Sequence, residues 1–421
     1  MAVRSDTRWS PRIGGDRALW FIIIVLGFMS VFVVYSSLGA SVYRPSGDDR
    51  SFIGVLFGQV KMVLMGLFAV WFVHTFNYQK YMRLATPIYV LAFLATLLTY
   101  LVGESKSDAT RWLTIPILNY TFQPSDFLKV ATVMILARNL AKRINKEGIS
   151  QQLLPPLLFW RCPERSRKIL RESTYPLVLP IICSCGVVMT ANLSTSLVIL
   201  ASCIIMLFIG RIKFGEICKF VITIAAVTVL LLGFLKMIGR APTRLDTWIH
   251  RIEHFVGTSD ASQDDADDYD YQTEQAKIAI ALGGIAGSGA GQSIQRSNLP
   301  LAESDYAFAF IIEEYGAIFA GVIIFLYMSI LARAITIFKK CATGIPSLLV
   351  LGLALLIVIQ AVFHMMVSTN MLFPTGLTLP LISKGGSSEL FTSIALGMIL
   401  GISRQVADRT VQGPKSESLT E

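Results

Sequence analysis

The sequence of 421 residues is 53% hydrophobic and only 15% charged, and its mean hydropathy is +0.60. Soluble domains contain about 25% charged residues, so the composition excludes a soluble protein and predicts a polytopic membrane protein. The formal net charge of +9 does not indicate nucleic-acid binding, because the basic residues lie mostly in short segments between apolar runs.

Apolar segments long enough to cross a bilayer follow one another along the chain. A spanning helix needs about 20 mainly apolar residues, and strands with open edges cannot satisfy their backbone groups in hydrocarbon. The fifth and sixth segments are so close that the turn around Asn192 must be tight. We therefore predict an all-α fold with ten transmembrane helices, at 18–38, 53–75, 83–103, 124–142, 175–191, 193–210, 216–238, 306–334, 346–369 and 389–404.

Lysine and arginine residues set the predicted orientation. Nine of them lie between Arg138 and Arg171, and short loops rich in basic residues stay in the cytoplasm. With ten spans, both termini and the other basic loops fall on the same side. The predicted parts are a basic cytoplasmic N-terminal tail at 1–17, a membrane domain at 18–404 and a cytoplasmic C-terminal tail at 405–421, with outer loops at 39–52, 104–123, 239–305 and 370–388.

The outer loop at 239–305, between the seventh and eighth helices, is by far the longest and changes character along its length. Its acidic tract, from Asp260 to Asp270, is predicted to be solvated and mobile. Apolar residues at helical spacing follow at 271–282, and a glycine-dense stretch follows at 283–291. No strand precedes these glycines, so the pattern indicates close backbone packing or contact with a diphosphate rather than a dinucleotide site.

Ionisable residues at or near membrane depth are candidates for function, because each costs about 2.5–3.5 kcal/mol to insert. Asp126 and Lys129 share a helix face and can form an ion pair, either as a structural link or as part of a site. Asp305 lies where the long loop meets the eighth helix, where a carboxylate suits a general base but also suits a helix N-terminus. The others are Lys61, whose long side chain can reach the interface, Glu313 and Glu314.

Two further patterns are too short to be specific. Residues 250–254 match the H-x-x-E-H pattern of some zinc peptidases, but no third ligand is evident. An amphipathic helix explains them better, so no metal ligands are predicted. Residues 385–388, Gly-Gly-Ser-Ser, are similar to a nucleophile turn, but a helix entry capped by serine explains them equally well.

Four strings, taken together, resemble one family of membrane proteins. Residues 110–113 (TRWL) and 122–126 (FQPSD) are similar to its "RWI … QPSE" segment, and Tyr271-Gln272 with the glycines to its "YQ..Q … GxGxG" segment. Residues 299–305 and Glu313-Glu314 are similar to "LPEAHTDF … EE". Residues 374–388, PTGLTLPLISKGGSS, are similar to "PTxGLTLPLISYGGSS". The chain thus resembles the shape, elongation, division and sporulation (SEDS) proteins, the FtsW branch more than the RodA branch.

This resemblance implies a peptidoglycan glycosyltransferase that polymerises lipid II at the outer face of the cytoplasmic membrane. Asp305 matches the family's proposed general base. A divalent cation, Mg²⁺ or Mn²⁺, is implied as a cofactor. A class B penicillin-binding protein and division regulators are implied as partners, with the division septum as the expected location. The substrate-binding residues implied by the matches are Arg111, Trp112, Gln123, Lys129, Arg244, Tyr271, Gln272 and Ser387.

The sequence departs from the family pattern at a few positions and leaves two other functions open. Asn192 stands where the family usually has aspartate, and Lys384 replaces a tyrosine. The intramembrane charges and ten helices would equally suit a lipid II flippase or transporter, and a non-catalytic scaffold of the division or elongation complex is the other alternative. The charged outer loop and Asp305 at its membrane edge favour the transferase.

Overall fold

The computed structural model describes residues 14–41, 52–102, 104–106, 109–115, 120–144, 152–155, 163–237, 263–295, 306–341, 344–373, 376–383 and 386–411. The first half contains α1 (Arg17–Ser41), α2 (Phe52–Thr75), α3 (Tyr78–Arg83), α4 (Ala85–Val102), α5 (Pro124–Ile144), α6 (Pro163–Ile169) and α7 (Leu179–Ala191). The second half contains α8 (Leu193–Ile209), α9 (Phe214–Met237), α10 (Gln263–Gly283), α11 (Ala307–Lys340), α12 (Gly344–Ser368) and α13 (Ser387–Val411).

A helix lies at each of the ten segments predicted to span the membrane. Six helical stretches in the described part of the chain are long and apolar enough to cross by length and composition, at Arg17–Ser36, Leu56–Thr75, Ser166–Thr190, Ala307–Lys340, Gly344–Ser368 and Ser387–Asp408. Ala85–Thr99 and Leu193–Ile209 are shorter apolar helices. The chain is therefore a multi-pass membrane protein, and the crossing of all ten segments stays a prediction.

Several helices are longer than the sequence predicted. The fifth predicted span continues a helical stretch that starts at Pro163 and includes a π-helical segment, Leu170–Val178, with Pro176 inside it. Proline removes one backbone donor and disturbs the regular bonding. The last helix runs past residue 404 to Val411, so helix extends into the segment assigned to the C-terminal tail.

The segments predicted to be outer loops contain more regular structure than expected. The loop at 104–123 forms a small antiparallel sheet of β1 (Glu104–Lys106), β2 (Ala109–Ile115) and β3 (Tyr120–Phe122). In the long loop, α10 begins at Gln263 rather than at residue 271. The helix thus starts inside the acidic tract, where negative side chains interact favourably with a helix N-terminus; Asp260 lies outside the described residues.

Two helices form the centre of the bundle. In both α5 and α12 most side chains are buried on every face, as expected for a helix enclosed by other helices. On one side of them, α2 and α13 pack closely where Gly397 faces the backbone of Val70 and Gly401 faces that of His74. Small residues of this kind let membrane helices approach closely.

The turn around Asn192 is as tight as predicted. Asn192 alone separates α7 from α8, with an extended backbone at φ −151° and ψ 94°. Its side-chain oxygen accepts a hydrogen bond from the amide of Thr195 at 3.2 Å. An asparagine therefore serves as the N-cap here without a carboxylate.

Candidate active site

A buried ion pair lies at the start of α5. The Lys129 ammonium is 2.8 Å from the Asp126 carboxylate, and both side chains are less than a tenth exposed. The predicted pair is therefore confirmed. Lys129 also donates to the amide oxygen of Gln360 on α12 at 2.8 Å, and Gln360 in turn donates to the carbonyl of Thr378 at 2.9 Å. The pair thus connects α5 to α12 and to the segment 376–383.

Ser387, at the start of α13, also belongs to this buried polar group. The Ser387 hydroxyl donates to Asp126 at 3.4 Å and accepts from the backbone amide of Gln123 at 3.0 Å. The side-chain amide of Gln123 donates to Ser125 at 2.9 Å. The two bonds of Ser387 link residues more than 260 positions apart and place its hydroxyl between α13 and the start of α5.

A small cavity of about 10 Å³ adjoins the ion pair. One part of its wall is polar, and the other part consists of apolar side chains from α5, α12 and α13. A space of this size has room for about one water molecule. Its lining is Asp126, Lys129, Gln360, Ser388 and Thr392 together with Val130, Leu356, Ile357, Phe391 and Ala395.

A second buried polar group supports the segment 376–383 from α1 and α2. The side-chain amide of Gln59 donates to Ser30 at 2.8 Å and to Glu389 at 3.4 Å. The Ser30 hydroxyl donates to the carbonyl of Ile382 at 3.1 Å. The same segment is therefore held from both sides, by Gln360 and by Ser30.

The glycine stretch packs backbone to backbone against a break in α11. At Gly316 the backbone leaves helical geometry, with φ 81° and ψ 173°. The amides of Ala317 and Ile318 donate to the carbonyls of Gly284 and Ile285, at 3.0 and 3.4 Å. The loop thus supplies hydrogen-bond acceptors for the backbone amides freed at the break, as buried backbone groups require.

A second set of backbone hydrogen bonds is donated by the glycine stretch to the carbonyls of α11. The amides of Ser288 and Gly289 donate to the carbonyls of Glu313 and Glu314, at 2.8 and 3.0 Å. A Cβ on Gly287 would lie 2.3 Å from the carbonyl oxygen of Glu314, so a side chain cannot be placed there. Of the two interpretations of this stretch, close backbone packing is the one that the structure bears out.

The other predicted site residues lie on separate elements or outside the described part. Trp112 is half-buried in β2, which also contains Arg111. Tyr271, exposed, and Gln272, half-buried, lie on α10; this helix packs on α11 through the apolar cluster around Tyr306. Asp305, Arg244 and the 250–254 pattern lie outside the described residues. The structure therefore brings together Gln123, Lys129 and Ser387, and their role in substrate binding stays a prediction.

Three buried polar residues of these networks were missed by the sequence analysis. Gln360 and Gln59 are uncharged, so a search restricted to ionisable residues passes over them, although each interrupts an apolar segment. Glu389 is the first residue of the predicted last span and is 5% exposed. A search for every polar side chain within or at the edge of a span would have found all three.

A protein-bound metal ion needs several His, Cys, Asp or Glu side chains close together. Among them, no three His, Cys, Asp or Glu side chains are grouped so that they could hold a metal ion. The donor set of the described part therefore does not fit a cation held by protein ligands. Lys61 is exposed at the surface of α2.

The sequence matches the family described as cell cycle proteins, FtsW/RodA/SpoVE, over residues 16–408. The chain belongs to this family. The resemblance drawn from four motifs is thereby confirmed over nearly the whole chain.

Curated relatives match over comparable lengths. A probable peptidoglycan glycosyltransferase FtsW from Trichlorobacter lovleyi is 28% identical over 393 residues, which cover 92% of this chain and 93% of the relative. The stage V sporulation protein E of Bacillus subtilis is 27% identical over 396 residues, covering 92% and 97%.

Solved structures share the fold. A chain of a peptidoglycan synthase complex that coordinates polymerization and crosslinking matches with a TM-score of 0.66 at 19% identity, covering 94% of this chain and all of that chain. The rod shape determining protein RodA of Thermus thermophilus matches with a TM-score of 0.58 at 20% identity, covering 93% and 97%. The mostly helical membrane fold is therefore that of RodA-like proteins.

Proposed function

We propose that this chain is a peptidoglycan glycosyltransferase that polymerises lipid II at the outer face of the cytoplasmic membrane. Family membership over residues 16–408 supports the reaction class. The observation that carries the proposal for a substrate site is the buried Asp126–Lys129 pair beside a small cavity with one polar and one apolar wall, which the substrate would have to widen on binding. An amphiphilic wall of this kind suits a substrate that joins a charged diphosphate to a polyprenyl chain.

In the proposed reaction a sugar hydroxyl attacks the anomeric carbon of a second sugar, and the diphosphate leaves with inversion. Asp305 takes the proton of the attacking hydroxyl as general base. Lys129 binds negative charge on the diphosphate, since cations in a water-poor site stabilise a developing charge strongly. Gln123 and Ser387 border this position, and the remaining binding residues proposed are Arg111, Trp112, Arg244, Tyr271 and Gln272.

The proposed topology has ten spans, with both termini in the cytoplasm and residues 239–305 outside. It is supported by the helix found at each predicted segment and by the basic residues between Arg138 and Arg171. In this orientation α11 begins at the outer face of the membrane, and Asp305 precedes it in the sequence by two residues, on the side where the glycan is made.

Cofactor and partners are proposed from the family. The divalent cation, Mg²⁺ or Mn²⁺, would have to bind the substrate diphosphate or residues outside the described part. A class B penicillin-binding protein would cross-link the new strand, and regulators of cell division would control the pair at the septum. FtsW relatives among the similar sequences support the division pathway over elongation.

The test is polymerisation of labelled lipid II by the purified chain with its penicillin-binding partner and Mg²⁺ or Mn²⁺. Wild type should make glycan strands. Asp305→Asn should lower the rate at least about a hundredfold, the usual range for loss of a general base, while still binding lipid II. The neighbouring Glu303→Gln is the matched control and should polymerise normally.

Three outcomes would overturn all or part of the proposal. Full polymerisation by Asp305→Asn would remove this carboxylate from the mechanism. Movement of lipid II across vesicle membranes by the wild type, without any glycan product, would instead identify a transporter. Absence of both activities in a complex that still recruits its partner would identify a scaffold.

A further inference from the structure

The side chain of Glu313, which the proposed reaction does not use, makes several buried contacts. It is 1% exposed and lies on the first, shorter part of α11, before the break at Gly316. Its carboxylate accepts hydrogen bonds from the amides of Ile294 and Gln295, at 3.0 and 3.4 Å, and a short one from the Ser293 hydroxyl. A buried carboxylate with this many donors is fixed in place, because charge-assisted hydrogen bonds are about twice as strong as neutral ones.

The main chain of Glu313 binds the same segment. Its carbonyl accepts from both the amide and the hydroxyl of Ser288, at 2.8 Å each. One residue of α11 therefore receives five hydrogen bonds from residues 288–295. The break at Gly316 makes this possible, because Ala317 donates to Gly284 instead of to the Glu313 carbonyl.

A neighbouring contact joins this segment to α1. The amide of Gly291 donates to the Ser36 hydroxyl at 2.7 Å, and that hydroxyl donates to the carboxylate of Glu314 in a short hydrogen bond. Residues 288–295 are thus held between α1 and α11, and these two helices determine their position.

The held segment leads directly to the chain that contains Asp305. The described residues before this connection end at Gln295, whose amide binds Glu313. They resume at Tyr306, which is 4% exposed at the start of α11. Tyr306 and Glu313 are seven residues apart along α11, a rise of about 10 Å. Both ends of the connection are therefore fixed on one rigid helix a short distance apart.

We propose that Glu313 is a positioning residue for the polymerisation reaction: its carboxylate anchors residues 288–295 on α11 and so sets where the chain leading to Asp305 begins. The inference rests on the proposed function, in which Asp305 is the general base. It assigns Glu313 no proton transfer and no substrate contact. Its side chain is needed only as a hydrogen-bond acceptor.

Three variants separate positioning from chemistry. Glu313→Ala removes all three side-chain acceptor contacts. Glu313→Gln keeps an oxygen for the two amides, and its NH₂ group can donate to the Ser293 hydroxyl, which is able to accept. Ser293→Ala removes one contact only and is the mild variant if Glu313→Ala does not fold. Glu164→Ala, which removes an exposed carboxylate on α6, is the matched control.

The first measurement is amide hydrogen exchange of residues 288–295 in the full-length protein without substrate. Glu313→Ala should speed exchange at Ile294 and Gln295 at least about tenfold, since local opening governs such exchange. Ser293→Ala should speed it less, and Glu313→Gln should stay near wild type. Exchange in Glu313→Ala equal to that in Glu164→Ala would refute the anchor, and if Glu313→Ala does not fold, unchanged exchange in Ser293→Ala would refute it.

The second measurement is polymerisation by the complex with the penicillin-binding protein. Glu313→Ala should lower kcat at least about tenfold with KM for lipid II changed by less than about threefold, because misplacement of a reacting group acts on turnover. Glu313→Gln should retain most activity. A Gln variant as inactive as the Ala variant would refute positioning and give the carboxylate charge a direct role. If wild type does not polymerise, the proposed function fails, while the exchange data still decide whether Glu313 is an anchor.

Discussion

Replacing Lys129 with methionine tests the buried ion pair most directly. The substitution keeps an unbranched side chain but removes the ammonium, which contacts Asp126 and Gln360 at 2.8 Å each. Asp126 then stays buried, 5% exposed, with the Ser387 hydroxyl at 3.4 Å as its remaining described side-chain contact. Removing one member of a buried pair costs about 3–5 kcal/mol, so we expect Lys129→Met to lower the free energy of unfolding by about this amount.

The double variant Asp126→Asn/Lys129→Met should recover at least about 2 kcal/mol of that loss, because no uncompensated charge remains. The assay is the melting midpoint of the detergent-solubilised protein, followed by size-exclusion chromatography after heating. Lys61→Met is the matched control, since this lysine is exposed on α2. A Lys129→Met midpoint equal to that of the control, or a double variant no more stable than Lys129→Met, would refute the reasoning.

The same double variant separates structure from chemistry. If Lys129 also binds the diphosphate, the double variant should fold well and still polymerise at least about tenfold more slowly than wild type, as expected when a charge-stabilising group is lost. Polymerisation at the wild-type rate would leave the pair as a purely structural link between α5 and α12.

Two further predictions concern the backbone. Gly316→Ala should cost at least about 2 kcal/mol, since its Cβ would lie 2.3 Å from the carbonyl oxygen of Ile285 at a φ of 81°; Gly321→Ala, whose Cβ would meet no atom within 4 Å, should be neutral or gain up to about 1 kcal/mol. Equal losses in the two melting midpoints would contradict this. Asn192→Ala should cost about 1 kcal/mol by removing the acceptor for Thr195, whereas Asn192→Ser should keep the cap. An alanine variant that melts like the wild type would show that the cap contributes nothing.

Hydropathy and residue spacing located much of the architecture. The bounds of α2 and α8 are within a residue or two of the predicted ones, because a run of apolar residues in lipid must form a helix to satisfy its own backbone. The same local logic identified the Asp126–Lys129 pair, since residues three apart share a helix face. It also predicted the tight turn at Asn192.

Hydropathy and residue spacing were less successful in polar segments that form helices or strands. The acidic tract was expected to be solvated and mobile, but α10 begins within it at Gln263. The loop at 104–123 contains β1 to β3, whose pairing depends on register between neighbouring strands. Neither element depends on an apolar run, which is why hydropathy alone did not indicate them.

The sequence by itself determined where the membrane helices lie and which family the chain resembles, because both are carried by short runs of residues. Only the tertiary structure decided that Ser387 meets Asp126, that Gln360 shares Lys129, and that Glu313 holds the glycine loop. The first two contacts join residues more than 200 positions apart, and the third depends on the break at Gly316. A hydrogen bond inside a membrane protein is specified by the packing of whole helices around it, and no local pattern encodes that packing.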